Sequence, residues 1–344
     1  MRIIGYEIKK LLHWKILFLL LFISLVFFKL FLEFEFLYFP NGQPMTDHVE
    51  ISKQMIEKYG NEMDETEFQD FKNMYKKASE KEDGSYEKGI VTGGFLESDS
   101  PWKLQAWEGI IESYERKKIS FTNKTNKEAV LPGINLNSIL PYIVYENYNN
   151  LIRMVTVLVI ISVMIVTGRV FITDMQNNAM SLQYSTLTGR RLFIYKTIAS
   201  MITSFFITAV YIGILLVAYA GNDTSVFFQS SLQSFDMIWP GFLIDLSFLQ
   251  YIILTITGVF LLALVSAAIT TFVSRTVSSY MSLIGAQVPV AAILILLILK
   301  YLISDLLSVR YPMFLTIGTY IVLLFIGAMV LFKRWEKEEM LDIG

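Results

Sequence analysis

Long apolar stretches limit what this 344-residue chain can fold into more than any other feature of it. Several runs reach the roughly 20 apolar residues a helix needs to cross a bilayer. The chain is 54% hydrophobic, above the range of about 45–50% usual for soluble domains. The sequence therefore predicts an all-α polytopic membrane protein with six transmembrane helices. The first run, residues 16–37, is longer than a signal-peptide core. FLEFEFLYFP follows it in place of a small-residue cleavage site, so it reads as a retained span. The others are Leu151–Thr173, Leu192–Ala220, Ser247–Val273, Ser279–Tyr301 and Pro312–Phe332.

The polar segments between the runs carry the organisation. Residues 1–15 place Ile3, Ile4, Ile8, Leu11 and Leu12 at helical spacing, with Glu7, Lys9, Lys10 and Lys15 as polar positions. This is an amphipathic elbow helix along the membrane surface, or a basic flank of the first span. Residues 38–150 form a polar, mainly helical domain between spans 1 and 2. Helical spacing appears at Asp47–Tyr59, Asp64–Glu82 and Pro101–Lys118, the last capped by Ser100. Its expected core includes Trp102, Trp107 and Tyr114. Tyr142, Tyr145 and Tyr148 precede span 2 like an interfacial aromatic belt. Lys29 and Glu33 sit four residues apart near the end of span 1 and can pair. Pro289 and Gln287 interrupt span 5, and Gly258, Gly285, Gly318 and Gly327 permit close helix packing.

Charge sets the expected orientation. With the N-terminus in the cytosol, Arg2, Lys9, Lys10, Lys15, Arg169, Arg190, Arg191, Lys196, Arg275, Lys333, Arg334 and Lys337 all fall on that side. The opposite short loops, 221–246 and 302–311, hold Arg310 alone. The loop 302–311 is either a plain turn or partly re-entrant. Both termini, including the tail 333–344, are expected in the cytosol of a bacterium, and the large domain outside.

Several function classes are excluded or disfavoured. The net charge of -2 points away from nucleic acid. The chain has no cysteine, and its two histidines, His13 and His48, are far apart, so disulfides and a His/Cys metal site are not expected. No GxxxxGK[ST], GxSxG or HExxH occurs, so the chain reads as neither an ATPase nor a hydrolase in its own right. Lys29, Arg153, Asp245, Lys300 and Asp305 fall toward the outer ends of the spans. The midplane carboxylate or histidine of an ion-coupled transporter is not evident.

One segment remains, 174–191, which joins spans 2 and 3. It is longer than the usual helix–helix connection of about 2–8 residues. Asp174 opens it as a candidate helix cap, a helix over Asn177–Leu187 follows, then Thr188-Gly189-Arg190-Arg191, with Lys196 entering span 3. This pattern resembles the first cytosolic loop of ABC-2-type transporter permeases, the membrane subunits of bacterial ABC exporters. YEIKKLLHWK looks like that family's elbow helix, and the likeness covers the membrane portion, about two thirds of the chain. Here Asp174 stands where Glu is commoner, Asn178 where Gly is common, and no Pro precedes the arginines.

The resemblance implies a coupling surface for an ATPase at Asp174, Asn178, Met180, Leu182, Leu187, Gly189, Arg190 and Arg191, and an elbow helix bearing Tyr6, Glu7, Lys9 and Lys10. It implies an ABC ATPase dimer and a second permease copy as partners, in a lipid bilayer. ATP and Mg would sit on the ATPase, with no cofactor on this chain. The apolar spans suit a hydrophobic or amphipathic cargo such as an antimicrobial peptide, a lipid or a drug. The alternative is a non-transporting sensor or immunity protein whose outer domain binds a peptide.

Overall fold

The computed structural model describes residues 2–82, 102–125, 138–178, 191–234, 244–304, 306–308 and 310–340. These residues are helical almost throughout. Among them there is no β-strand; Glu62–Ser138 and Ser231–Ser247 are isolated bridges.

Six helices are long and apolar enough to cross a membrane, and the chain is a multi-pass membrane protein on that ground. Helix α1 (Arg2–Leu11) comes first. A break at Leu12 and His13 separates it from span 1, which runs through α2 (Trp14–Phe27), a π-helical turn (Phe28–Leu32) and α3 (Glu33–Leu37). The His13 ring caps α2, its Nδ1 accepting from the Lys15 amide at 3.3 Å. Span 2 is α7 (Tyr142–Thr167) continued after Gly168 by α8 (Arg169–Gln176). Spans 3 and 4 are α9 (Leu192–Ala220) and α10 (Phe248–Thr276). Span 5 is α11 (Tyr280–Leu297) with a π-helical turn (Ile298–Leu302), and span 6 is α12 (Met313–Met340). The helix runs unbroken through Pro289. The lysine of each π-helical turn, Lys29 and Lys300, is exposed, and Lys29 pairs with Glu33.

Span 2 is the axis of the bundle. At 35 residues it is about 52 Å long, well beyond the ~30 Å hydrocarbon layer. Its central window is 83% buried, against 17% for spans 1, 5 and 6. Spans 3 and 4 pack directly on it. The span begins nine residues earlier than its apolar run suggests, because Tyr145 and Tyr148 face inward. Tyr148 is fully buried among Tyr219, Phe248 and Tyr251, and its hydroxyl meets Thr255 at 2.6 Å. These two tyrosines are therefore core residues of the bundle, not a lipid-facing belt.

Residues 45–82 and 102–125 build a three-helix unit from α4 (Met45–Tyr59), α5 (Glu65–Glu82) and α6 (Trp102–Thr125). A reciprocal capping box starts α5. Asp64 Oδ1 accepts from the Glu67 amide, and Glu67 Oε2 accepts from the Asp64 amide, both at 2.8 Å. Ile51, Met55, Phe71, Trp107 and Ile110 form a core separate from that of the spans. Trp102, expected in this core, is 46% exposed. The expected Ser100 cap lies outside the described residues. The unit sits at the end of the bundle opposite α1. We call the two ends the domain face and the terminal face.

The glycines divide. Gly258 lies under the Tyr320 hydroxyl and Gly327 against Ala268, so both allow close approach of spans 4 and 6. Gly285 and Gly318 face open space and serve no such contact.

Candidate functional site: a buried four-charge cluster at the terminal face

Glu7 lies on the same stripe of α1 as Ile3 and Leu11, at helical spacing, so it points inward despite its charge. In span 2 a related placement occurs. Asp174 falls four residues after Val170 and three after Phe171, both fully buried. Lys196, one turn into span 3, meets both carboxylates.

The Lys196 ammonium donates to Asp174 and to the Val170 carbonyl at 3.1 Å, and its third neighbour is Glu7 Oε1 at 3.4 Å. Two of its protons thus have hydrogen-bonded oxygen partners, and Glu7 is an ion-pair neighbour. Lys10 donates to the other Asp174 oxygen and lies 3.9 Å from Glu7 Oε2. Two carboxylates and two ammonium groups cancel in formal charge. Glu7, Asp174 and Lys196 are buried, and the Lys10 side chain is 23% exposed. Phe171 backs the cluster, with Lys196 5.3 Å from its ring centre, Arg275 at 5.8 Å and Phe193 stacked at 5.6 Å.

α7 passes into α8 at Gly168, which keeps right-handed helical dihedrals (φ −59°, ψ −22°). Its backbone passes so close to span 5 that a Cβ there would lie 2.5 Å from the Gln287 amide nitrogen and 3.2 Å from Leu283. Beyond Gly168, the Phe171 amide donates to Ser274 Oγ of span 4 at 3.2 Å, which satisfies one free donor of the new helix start. Thr173 meets Tyr280 of span 5 through hydroxyls 3.2 Å apart.

The cluster brings together Glu7 and Lys10 of the elbow with Asp174 and Lys196 on either side of the connecting segment. Asp174 is inside α8 and bound to two lysines, so it is not a helix cap. Asn177 and Asn178 form a turn instead of opening a helix, and Asn178 has φ +53°. That left-handed conformation favours Gly and tolerates Asn better than most residues. Tyr6, Lys9 and Arg191 are exposed and stand outside the cluster. Met180, Leu182, Leu187, Gly189 and Arg190 lie outside the described residues, as does most of the helix expected at Asn177–Leu187.

Among the described residues, no group of three or more metal-ligating side chains is placed to hold an ion. On the three-helix unit, a cleft of about 370 Å³ is lined by Pro44, His48, Gln105, Glu108 and Glu112 among others.

Comparison with protein-family models, with curated proteins and with solved structures gives no match for this chain. The class that the fold defines is a multi-pass helical membrane protein. Anything narrower rests on the residues themselves.

Proposed function

We propose that this chain is the membrane subunit of an exporter whose energy comes from a separate ATPase. The observation that carries the reading is the buried cluster Glu7–Lys10–Asp174–Lys196. It fastens α1, the end of span 2 and the start of span 3 into one block, at the roots of the segment 179–190. A force applied to that segment reaches Asp174 four residues before Asn178, and Lys196 five residues after Arg191. Buried ion pairs resist separation, because parting them leaves charge unpaired in a low-dielectric setting. The segment therefore works as a lever with a stiff root.

In this reading both termini are cytosolic, residues 38–150 face outward, and the lever touches an ATPase dimer that carries ATP and Mg. A second copy of the chain or a paralogue completes the translocation unit. Apolar side chains exposed along spans 1, 5 and 6 suit a hydrophobic or amphipathic cargo that reaches the protein from the bilayer.

Leu182→Asp and Leu187→Asp test the lever. Each is expected to abolish co-purification of the ATPase while membrane insertion stays normal. Normal co-purification with full transport would remove the contact from that position.

A further inference from the structure

Several buried hydroxyls in the spans turn back on their own helix. Thr156 and Thr167 of span 2, Thr208 of span 3, and Thr255 and Ser266 of span 4 each donate to a carbonyl three or four residues earlier, at 2.6 to 2.9 Å. Ser200 and Thr203 of span 3 and Thr270 and Thr271 of span 4 do not. All four residues are fully buried, and their hydroxyl oxygens meet no hydrogen-bond partner in the protein.

The four belong to one seam. Ser200, Thr203 and Ser204 follow Lys196 by about one and two helical turns, so they continue its stripe along span 3. On span 4, Ala263, Ala267, Thr270, Thr271 and Ser274 recur at the same spacing. The two stripes run antiparallel and meet at both ends. Toward the middle of the bundle, Ser204 donates to the Ala263 carbonyl at 3.1 Å, and the rings of Phe205 and Phe260 lie 4.8 Å apart. At the terminal face they meet across Phe171, whose ring lies under Lys196 and whose amide donates to Ser274. Counted from the Ser204–Ala263 contact, Ser200 is level with Ala267, and Lys196 is level with Thr271.

Small residues between helices in a bilayer serve close approach, which accounts for the alanines of this seam. It does not account for the hydroxyls. Lipid offers a hydroxyl no partner at this depth, and an unpaired one is costly to bury. Unpartnered buried groups of this kind are the ordinary ligands of internal water, which takes about two to four polar partners. Here the hydroxyls and the second lone pairs of the carbonyls in the same turns supply them.

We propose that spans 3 and 4 hold ordered water on Ser200, Thr203, Thr270 and Thr271, in a seam that runs from the four-charge cluster toward the middle of the bundle. These waters are bound one by one to hydroxyls and form no open channel, so Lys196 keeps its low-dielectric surroundings. The proposal goes beyond the exporter reading, and its test needs neither an ATPase nor a cargo.

The chain has no cysteine, so a single introduced thiol gives one S–H stretching band in the infrared. Ser200→Cys and Val265→Cys are compared in nanodisc-embedded protein. Val265 is 3% exposed, lies within a turn of Ser200 in depth, and sits on the side of span 4 that meets Gly327 of span 6. A thiol exchanges its proton through water. In D2O the Ser200→Cys band should therefore convert to S–D several-fold faster than the Val265→Cys band. Equal rates, or a slower rate at Ser200→Cys, overturn the proposal. Thermal melts of Thr203→Val and Thr271→Val, both close in shape to the parent residue, give a second reading. Removing a hydroxyl that binds water loses hydrogen bonds and should lower the melting temperature, whereas removing a dry, unpaired hydroxyl raises it. A melting temperature unchanged or raised in either variant also overturns the proposal.

Discussion

A lysine that is 1% exposed inside a membrane bundle persists only if its charge is compensated, and Lys196 has two hydrogen bonds and a second carboxylate beside it. Lys196→Met would leave the cluster with one surplus negative charge. The expected loss is about 3–5 kcal/mol, the usual cost of orphaning a buried charge. Adding Asp174→Asn restores neutrality, with Lys10 and Glu7 still able to pair. The double variant should therefore unfold at a higher temperature than Lys196→Met alone, in detergent at fixed protein concentration. The reverse order would mean that the cluster is not acting as a charge-balanced unit. Asn178 is the second residue of consequence. With φ +53°, Asn178→Val should cost about 1–2 kcal/mol more than Asn178→Gly in the same melting assay. The charge pattern was partly legible. Asp174 and Lys196 stand out in sequence as polar residues beside apolar runs. Their union with Glu7 and Lys10 was not, because it spans more than 160 residues. The available signal was Glu7 itself, a carboxylate on the apolar stripe of its own helix.

At the scale of elements, Gly168 is the tightest contact. Gly168→Ala would place a methyl group 2.8 Å from the Met164 carbonyl oxygen as well as against the Gln287 amide and Leu283, and overpacking of this kind costs about 1–3 kcal/mol. Gln287→Ala in the same chain should recover part of that loss, which a thermal melt of the three variants would reveal. Equal melting of Gly168→Ala with and without the second change would show that Gln287 is not the obstacle. In the three-helix unit, hydrogen bonds from Lys58 and Tyr59 hold the Asp70 carboxyl below its ordinary range. A depressed folded-state pKa contributes stability above the unfolded value near 3.8, and that contribution disappears as pH falls through the folded value. The melting difference between the parent chain and Asp70→Asn should thus be constant above about pH 5 and shrink in more acid solution. A difference that grew toward acid pH would have the wrong sign. Element boundaries were less legible than element types. The apolar run marks where span 2 meets lipid, but Tyr145 and Tyr148 extend its buried helix because they pack on Tyr219, Phe248 and Tyr251. Aromatic residues at a span end can serve lipid or core, and the sequence does not say which.

For the whole molecule, the six spans were legible because about 20 apolar residues in a row have few other uses. The helices of residues 45–82 and 102–125 were visible from their periodicity. How they attach was not, since Ser138, Lys53 and Asp223 are ordinary polar residues until the fold brings them together. The resulting architecture has a four-charge cluster at the terminal face, a long buried axis and a three-helix unit hydrogen-bonded to the far end. The most direct test is to purify the chain gently from its native membranes, with crosslinking before solubilisation, and to identify what accompanies it. The account predicts a soluble ATPase in fixed stoichiometry, with ATP hydrolysis in the purified complex that Lys196→Met alters. A chain that comes away without an ATPase, crosslinked or not, would contradict it and direct attention to a sensor whose ligand binds residues 38–150.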